Sequence, residues 1–290
     1  MQQTQITTLA AVMNEAAPYI AKYKNNTIVI KYGGNAMVNH AIKQSVMQDL
    51  LLLNQLGIKV VLVHGGGPEI AEGLKLIGKQ SQFINGLRVT DQDTMNVVQQ
   101  VLAGKVNKDL VALLKGKGIG LCGIDGAMLK CQKLQNGDDL GFVGEITEVD
   151  TTLLQFALNS GFIPVIATIG TDANGVAYNI NADTAASEIA IALGAKKLVS
   201  MTDIAGLLAD RNDESTLISH IEISDVQPLI EQGIISDGMI PKIACCVESI
   251  QRGVKEAAII DGRKANAILL ELFSQQGNGT LFFQKETNNE

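Results

Sequence analysis

KVVLVHGGGPEI, residues 59–70, places a continuous apolar run, three glycines and a proline in that order. A short run that is apolar at almost every position is typical of a strand buried on both faces of a parallel sheet. Glycine lets the backbone turn tightly, and Pro68 suits the first turn of a helix, where its missing N–H costs nothing. The segment therefore predicts a buried strand, a tight turn and a helix.

The same order of elements recurs along the chain. Strand-like runs lie at 27–33, 59–65, 162–170, 197–202 and 256–262, and helical spacing of apolar residues lies at 40–56, 68–77, 92–115, 183–194, 239–253 and 265–276. Continuous apolar strands separated by helices predict an α/β protein with a mostly parallel sheet covered on both faces. Residues 127–149, with NGDD at 136–139, predict an inserted β-hairpin.

Composition excludes several classes of protein. The 290 residues are 46% hydrophobic, which is ample for one large domain or two lobes. The net charge of −7 and the pI near 5.1 argue against a general affinity for nucleic acid or an anionic membrane. No apolar run is long enough to span a bilayer, and the N-terminus lacks the features of a secretory signal. The four cysteines form no C-x-x-C pair, so we expect reduced, packed thiols in a cytoplasmic protein.

Glycine clusters stand where predicted strands give way to turns, at Gly33-Gly34, Gly65–Gly67 and Gly206. Ligands of such sheets bind beyond the carboxyl ends of the strands, and glycine there lets backbone N–H groups approach an anion. A tight strand-to-helix turn explains any one cluster by itself. Two such turns after successive strands, with Lys31 before the first, favour an anion site. No G-x-G-x-x-G, H-E-x-x-H or G-x-S-x-G motif occurs, and no P-loop follows a strand.

Three charged positions each allow a structural and a functional interpretation. Lys242 lies in the first turn of a helical run, where the helix dipole disfavours a cation, so it is either an exposed lysine or part of an anion site. Arg88, in NGLRVTD, either forms a surface salt bridge or grips a carboxylate with two parallel hydrogen bonds. Asp183 opens a helical run, where most Asp residues are caps or partners of the dipole. His64 is interpreted as packed or hydrogen-bonded near its turn.

Six segments together resemble one family. VIKYGGNAM, LVHGGGPEI, NGLRVTD, NINADTAA, MTDIAGLL and GMIPK occur in the order typical of the N-acetyl-L-glutamate kinases of the amino acid kinase superfamily. The resemblance runs from about residue 7 to residue 283. It implies a three-layer α/β/α sandwich with a mainly parallel central sheet. It also implies ATP-dependent phosphorylation of the γ-carboxylate of N-acetyl-L-glutamate, the second step of arginine biosynthesis.

The resemblance further implies a division of the chain. Residues 1–24 would form an N-terminal helical extension, residues 25–195 a lobe for acetylglutamate binding and dimerisation, and residues 196–290 a lobe for ATP. ATP would enter with Mg²⁺ as a co-substrate, and no tightly bound organic cofactor and no metal-ligating residues are expected. A carboxylate acceptor is already ionised near neutral pH, since a glutamate side chain titrates near ~4.3, so no general base is needed. Phosphoryl transfer then depends on positioning and on positive charge.

Individual roles follow from the same resemblance. Lys31 and Lys242 would stabilise the transition state, and Asp183 would orient both lysines. The amides of Gly34 and Gly66 would bind the transferring phosphoryl group. The acetylglutamate ligands would be Arg88, Asn179 and the backbone of Gly65, Gly66 and Gly67. The nucleotide region would comprise Thr202, Asp203, Leu207 and Asp210.

The N-terminal segment raises a separate question of assembly. Apolar residues follow helical spacing at Leu9, Met13, Ala16, Ile20 and Tyr23, with Pro18 as a kink. Such an extension resembles the N-terminal helix of arginine-inhibited relatives, whose interlaced helices join three dimers into a hexamer. An ordinary helix packed on its own subunit is the alternative.

The C-terminal LLELFSQQGNGT resembles the arginine-binding region of those relatives, which implies an L-arginine site at Tyr19, Glu271 and Gly277. Lys264-Ala265-Asn266 departs from their V-P-H, and QGNGT from their E-G-I-G-T. Both an arginine-inhibited homohexamer and an arginine-insensitive homodimer are therefore retained, and the sequence does not say whether a PII-type regulatory protein binds. Two other functions are weighed: a kinase of the superfamily acting on aspartate or glutamate, which NGLRVTD disfavours, and a catalytically silent amino-acid sensor.

Overall fold

The computed structural model describes residues 3–37, 39–135, 137–236 and 238–285, without the side chains of residues 3–9, 35 and 36. The helices are α1 (Gln3–Tyr23), α2 (His40–Gln55), α3 (Gly67–Leu76), α4 (Gln92–Gln99), α5 (Asn107–Leu113), α6 (Thr152–Asn159), α7 (Ala182–Ala192), α8 (Val226–Glu231), α9 (Met239–Gln251) and α10 (Ala267–Phe273). The strands are β1 (Thr27–Tyr32), β2 (Lys59–His64), β3 (Phe83–Ile84), β4 (Leu87–Arg88), β5 (Gly118–Cys122), β6 (Leu129–Lys133), β7 (Gly144–Val149), β8 (Ile163–Ala167), β9 (Ile169–Thr171), β10 (Ala177–Asn179), β11 (Lys197–Thr202), β12 (His220–Glu222), β13 (Glu256–Asp261) and β14 (Gly279–Phe283).

The main sheet has eight strands in the order β12-β14-β13-β11-β1-β2-β8-β5. The six strands from β13 to β5 are parallel to one another. β14 runs antiparallel to β13, and β12 pairs in parallel with β14. The mostly parallel sheet predicted from the apolar runs is therefore confirmed. In the centre of this sheet, β1 and β2 pair so that Lys31 lies opposite Val63 and Tyr32 opposite His64.

Helices cover both faces of the sheet. Alternate residues of a strand point to opposite faces, and the two faces contribute to separate hydrophobic cores. Val29 belongs to the core that contains Ile189 of α7 and Ile243 of α9. Ile30 belongs to the other core, with Leu50 of α2 and side chains of α5 and α10. This arrangement is the three-layer α/β/α sandwich that the family resemblance implies.

A second, smaller sheet has the order β10-β9-β6-β7. Its β6 and β7 form the predicted hairpin, although residue 136 of the predicted turn lies outside the described residues. A two-stranded hairpin of β3 and β4 carries Arg88. Between α4 and α5 a π-helical turn spans Gln100–Val106, so that the predicted helix at 92–115 is continuous but changes its pitch.

The N-terminal helix predicted from the spacing is present as α1 and runs through Pro18. Tyr23 at its end is buried, whereas Val12 and Met13 are exposed. Across the described ranges, no helix combines the length and the apolar character that crossing a membrane requires.

Candidate active site

Lys31, Asp183 and Lys242 meet at the carboxyl end of the central strands. Lys31 is near the end of β1, Asp183 is in the first turn of α7, and Lys242 is in the first turn of α9. Lys31 Nζ lies 3.0 Å from Asp183 Oδ1, and Lys242 Nζ lies 2.8 Å from Asp183 Oδ2. One carboxylate therefore holds two ammonium groups, one on each oxygen. The sequence separation of these residues gave no direct indication of that contact.

The two lysines differ in burial, and their pKa values are shifted in opposite directions. Lys31 is 6% exposed, and this burial lowers its pKa in spite of the attraction of Asp183. Burial also acts to lower the pKa of Lys242, but its side chain is 26% exposed, and the charge of Asp183 outweighs burial and raises that pKa. Burial acts to raise the pKa of Asp183, but the charges of the two lysines outweigh burial and lower this pKa to about 2. The carboxylate is thus ionised at neutral pH.

The local structure shows that Asp183 is not the cap of its helix. Asn181 is the N-cap of α7, and its Oδ1 accepts hydrogen bonds from the amides of Asp183 and Thr184. The Asp183 carboxylate is turned to the lysines instead. It also accepts a hydrogen bond of 3.1 Å from Ser200 Oγ on β11. Sequence reasoning missed Ser200, because a lone serine in an apolar strand carries no functional signal.

The glycine turns after β1 and β2 lie side by side, since their strands are neighbours. A Cβ placed on Gly33 would lie 3.5 Å from the Gly65 nitrogen and 3.6 Å from Lys31 Cε. Gly34 has φ +65°, a conformation that favours glycine. The Gly65 amide donates to the carbonyl of Tyr32, whereas none of the described residues accepts from the amides of Gly66 and Gly67. These two amides open α3, where the helix dipole favours an anion.

Arg88 is buried rather than part of a surface salt bridge. Its Nη2 donates to the Gly67 carbonyl at 3.1 Å, its Nη1 donates to Ser81 Oγ, and its guanidinium lies 4.7 Å from the centre of the Phe83 ring. Within the described part of the chain no carboxylate pairs with it, and burial lowers its pKa. A buried, unpaired guanidinium beside the second glycine turn is suited to a carboxylate ligand.

Asn179 is connected to Arg88 through one side chain. Asn179 Nδ2 donates to Thr90 Oγ1 at 3.2 Å, and the Thr90 hydroxyl donates to the Arg88 carbonyl at 2.7 Å. Asn179 is half-buried at the end of β10, and its backbone amide donates to the Phe142 carbonyl. The structure therefore joins two of the predicted acetylglutamate ligands in one network with Thr90, a residue that sequence reasoning did not single out.

A cleft of about 390 Å³ adjoins the lysine pair on the side of β11 and α9. Three of the four residues predicted for the nucleotide, Thr202, Asp203 and Leu207, line it, and Lys242 reaches into its wall. Most of its surface is apolar, with Gly206 and Met239 among the lining residues. Asp210 is not among the lining residues, and its carboxylate accepts a hydrogen bond from the Asn212 amide in an exposed loop.

A second cavity, of about 220 Å³, brings together Tyr19, Glu271 and Gly277, the residues for which the family resemblance implies an L-arginine site. Glu271 Oε1 lies 2.7 Å from Lys197 Nζ, and the other oxygen accepts from the Asn278 amide. Tyr19 belongs to α1, so the N-terminal helix forms part of this cavity. It lies at the opposite end of the sheet from the lysine pair, because Lys197 begins β11 and Ser200 is near its end.

The thiols and carboxylates of the described residues form no metal centre. The four cysteines are free, with Cys131 and Cys246 buried, and burial raises the pKa of each of the four thiols. No group of three or more His, Cys, Asp or Glu side chains is placed to hold a metal ion in the described ranges. His64 is fully buried and hydrogen-bonded beside its turn, in agreement with its interpretation from the sequence.

Known proteins resemble this chain at three levels. The amino acid kinase family matches residues 26–261. The acetylglutamate kinase of Actinobacillus pleuropneumoniae serotype 7 (strain AP76) is 66% identical over 285 residues, which are 98% of this chain and 100% of that protein. Structures of the N-acetylglutamate synthase from Neisseria gonorrhoeae, complexed with coenzyme A and either N-acetyl-glutamate or L-arginine, superpose with TM-scores of 0.84 and 0.83 at 28% identity. They match 95% of this chain, which spans less than two thirds of the synthase, 63% and 65% in the two structures.

Proposed function

The chain belongs to the amino acid kinase family, among the acetylglutamate kinases, and from that premise we propose how its site phosphorylates N-acetyl-L-glutamate. The reaction is the second step of arginine biosynthesis. An oxygen of the γ-carboxylate bonds to the γ-phosphorus of ATP, and the bond from that phosphorus to the bridging oxygen breaks. The products are N-acetyl-L-glutamyl 5-phosphate and ADP. Mg²⁺ enters with ATP, as part of the co-substrate.

The lysine pair carries this proposal. Two anions must approach each other, and the carboxylate is already ionised at neutral pH, so the chemical need is positive charge and not a base. Lys31 lies beside the first glycine turn, which packs against Gly65 of the second, and Lys242 lines the cleft that we assign to the nucleotide. We infer that they stabilise the transferring phosphoryl group from the acceptor side and the ATP side. Asp183 sets their separation and remains ionised throughout.

The glycine turns supply hydrogen-bond donors to the same group. Preorganised amides directed at developing negative charge contribute strongly in a site shielded from water. Gly34 and Gly66 are the amides that we assign to the phosphoryl oxygens. The open amides of Gly66 and Gly67 at the N-terminus of α3 support this assignment, because nothing in the described chain accepts from them.

Arg88 and Asn179 are proposed to hold N-acetyl-L-glutamate, together with the backbone of the Gly65–Gly67 turn. A guanidinium binds a carboxylate with two parallel hydrogen bonds, and Arg88 is buried with no carboxylate of the described chain beside it. Its hydrogen bond to the Gly67 carbonyl fixes it next to the acceptor side of the site. We therefore expect it to bind a carboxylate of the substrate that does not react.

Acyl-phosphate trapping tests the activity and its specificity. Purified protein is incubated with Mg-ATP, hydroxylamine and either N-acetyl-L-glutamate, L-glutamate or L-aspartate, and hydroxamate is measured. We expect hydroxamate with N-acetyl-L-glutamate only, and less by about 10²-fold or more with a Lys31→Ala variant. Equal product with glutamate or aspartate would indicate another kinase of the superfamily. Absence of product with all three acceptors would favour a silent sensor.

Assembly and regulation are proposed from the second cavity. Tyr19 of α1 and Glu271 of α10 line it together, and the exposed Val12 and Met13 leave α1 with an apolar surface. We propose that α1 joins homodimers into a homohexamer and that L-arginine binds between α1 and α10. Arginine titration of the activity, with sedimentation to measure the mass, tests both; an arginine-insensitive dimer would contradict them. The lobes at 25–195 and 196–290 and the cytoplasmic location stay predictions, and no PII-type partner is inferred.

A further inference from the structure

A hydrogen-bonded relay of side chains holds the turn that follows β2. His64 Nδ1 lies 2.9 Å from the Gly65 carbonyl oxygen, and His64 Nε2 lies 3.1 Å from Asn107 Nδ2. His64 is fully buried, and Asn107, the first residue of α5, is 1% exposed. The relay therefore connects the start of α5 to the backbone of a glycine turn that we assign to the transferring phosphoryl group.

The orientation of the Asn107 amide fixes the tautomer of His64. Asn107 Nδ2 lies 2.8 Å from the Val165 carbonyl oxygen and 3.2 Å from that of Leu121. A carbonyl oxygen only accepts hydrogen bonds, so the amide nitrogen and not its oxygen occupies this position. The two hydrogens of this NH₂ group are shared among the two carbonyls and His64 Nε2, and because an amide nitrogen cannot accept, Nε2 must be the acceptor. The neutral ring consequently carries its proton on Nδ1 and donates it to the Gly65 carbonyl.

The direction of the Gly65 carbonyl determines the direction of the next amide. A peptide unit is planar and trans, so the C=O of Gly65 and the N–H of Gly66 point to opposite sides of one plane. With the carbonyl turned to the buried His64, the Gly66 N–H is turned away from it. The Gly66 carbonyl is also fixed, because it accepts the first hydrogen bond of α3, from the Ile70 amide at 2.8 Å.

The π-helical turn Gln100–Val106 closes on this glycine turn from another direction. A Cβ on Gly66 would lie 2.7 Å from Leu102 Cδ2 and 3.3 Å from Val106 Cγ2. Leu102, Val106 and Leu110 are buried at intervals of four residues, and the wider π turn accommodates that spacing on one side of the helix. Asn107 follows Val106 directly. The helix that contains the π turn thus packs against Gly66 and also supplies Asn107, whose side-chain amide fixes the tautomer of His64.

We propose that Asn107 and His64 are positioning residues for phosphoryl transfer: their relay turns the Gly65 carbonyl inward and so directs the Gly66 amide at the transferring group. This inference rests on the proposed function, because it assigns the relay to a donor of that site. Neither side chain touches a reacting atom. Asn107 acts through His64, and His64 acts through the Gly65–Gly66 peptide unit.

The tautomer is measured first, on the unaltered protein. Nitrogen-15 NMR of histidine side chains distinguishes a protonated ring nitrogen from an unprotonated one, and the chain has only three histidines, His40, His64 and His220. Burial lowers the pKa of His64 to about 4, so we expect one neutral Nδ1–H tautomer from pH 6 to pH 8.5. An Nε2–H tautomer, or a mixture of the two, would overturn the relay whatever the activity.

Asn107→Asp reverses the proton arrangement. The new carboxylate accepts from Nε2–H, so the neutral ring presents an Nδ1 lone pair to the Gly65 carbonyl and repels it. Protonation of His64 restores the Nδ1–H donor; the carboxylate favours that protonation, whereas burial and the charge of Lys108, the charged group of the described chain that acts on His64, oppose it. We expect a kcat about 10–100-fold below the unaltered value at pH 8.5, a several-fold recovery on lowering the pH to 6, and KM values within about threefold.

Two further variants separate positioning from stability. Asn107→Leu removes the donor without adding a charge, so its kcat should be low at both pH values. Asn107→Asp combined with His64→Gln should lose the recovery at low pH. A pH-independent kcat for Asn107→Asp, or losses that simply follow the melting temperatures, would leave Asn107 with a structural role alone. Hydroxamate formed by the unaltered protein is the reference: its absence contradicts the proposed function, whereas an active kinase without the recovery contradicts the relay.

Discussion

Replacing Asp183 by Asn removes the negative charge that Lys31 and Lys242 share while keeping the shape of the side chain. Asn can still accept the hydrogen bond from Ser200, and the cap of α7 is untouched because Asn181 provides it. The variant therefore changes the electrostatics of the site with little change in packing. We expect the catalytic rate to suffer more than the fold.

The size of the effect follows from the two contacts of 3.0 and 2.8 Å. Losing an opposite charge at such a distance shifts a pKa by about 1–3 units, or about 1.4–4 kcal/mol. Burial already lowers the pKa of Lys31, so the loss of Asp183 lowers it further and reduces the fraction of Lys31 that is charged at a given pH. With that cation weakened and misplaced, we expect kcat to fall about 10²–10³-fold.

The dependence of kcat on pH is the decisive measurement, by release of ADP between pH 6 and pH 9. In the proposed mechanism the ammonium form of Lys31 is the active one, so lowering the pH should raise the rate of Asp183→Asn relative to the unaltered protein. Glu188→Gln is the matched control, since Glu188 is also a carboxylate of α7 but pairs with the exposed Arg252. A kcat within threefold of the unaltered value, or a loss of stability without a loss of rate, would refute the reasoning.

The same carboxylate affects stability in a different range of pH. The pKa of Asp183 is lowered to about 2, so its ionised form is favoured by folding. That stabilisation is fully present above the ordinary carboxyl pKa of about 3.9 and is lost as the pH falls through about 2. Between pH 6 and pH 9 this contribution of Asp183 is constant. Melting temperatures measured at each pH separate the kinetic profile of Asp183→Asn from unfolding, because Asp49 still titrates near pH 7.

Three further substitutions test other parts of the structure. Lys31→Ala should lower kcat by about 10²-fold or more with little change in melting temperature, and near-normal turnover would remove Lys31 from the transition state; Lys75→Ala, on the exposed side of α3, is its control. Arg88→Ala should raise the KM for N-acetyl-L-glutamate about tenfold or more and leave that for ATP nearly unchanged, and the reverse would contradict its assignment. Burial raises the pKa of Asp49 to about 7, so the free energy of unfolding should fall as the pH rises from 3.8 to about 7. Asp49→Asn should flatten that part of the stability curve, and an unchanged slope would show that Asp49 titrates normally.

Local patterns predicted much of the architecture, because buried strands and amphipathic helices leave short-range signals. The apolar run at 59–65 became β2, and the glycines after it opened α3 as expected. The smaller sheet was predicted only in its β6–β7 hairpin, since β9 and β10 have three residues each and join it through distant pairings. The main sheet was also predicted incompletely, because its edge strands β12 and β5 and the strand β14 next to β12 were missed.

The candidate site could be proposed from the sequence where a residue type is unusual at its position, and not where it depends on contacts across the fold. Lys31 and Lys242 each stood out beside glycine or proline, so the sequence singled them out. Ser200 and Asn107 lie in segments with the pattern of an ordinary strand and helix, and the contacts that bring them to the candidate site are with partners 17 and 43 residues away in the chain. Asp183 is an intermediate case, because its position at the start of a helix is typical of a cap, although Asn181, two residues earlier, provides the cap.

Lys242 shows why the lysine pair requires its carboxylate before any substrate binds. A cation in the first turn of α9 is opposed by the helix dipole, at a cost of roughly 0.3–1 kcal/mol. The free-energy cost is larger for Lys31, since its ammonium group is almost entirely removed from water. Asp183 contacts both and offsets both costs, which leaves a net charge of +1 among the three groups beside the cleft that we assign to the nucleotide. The site therefore holds preorganised positive charge for an acceptor that is already anionic, and the neutral, buried His64 is consistent with a reaction that requires no base.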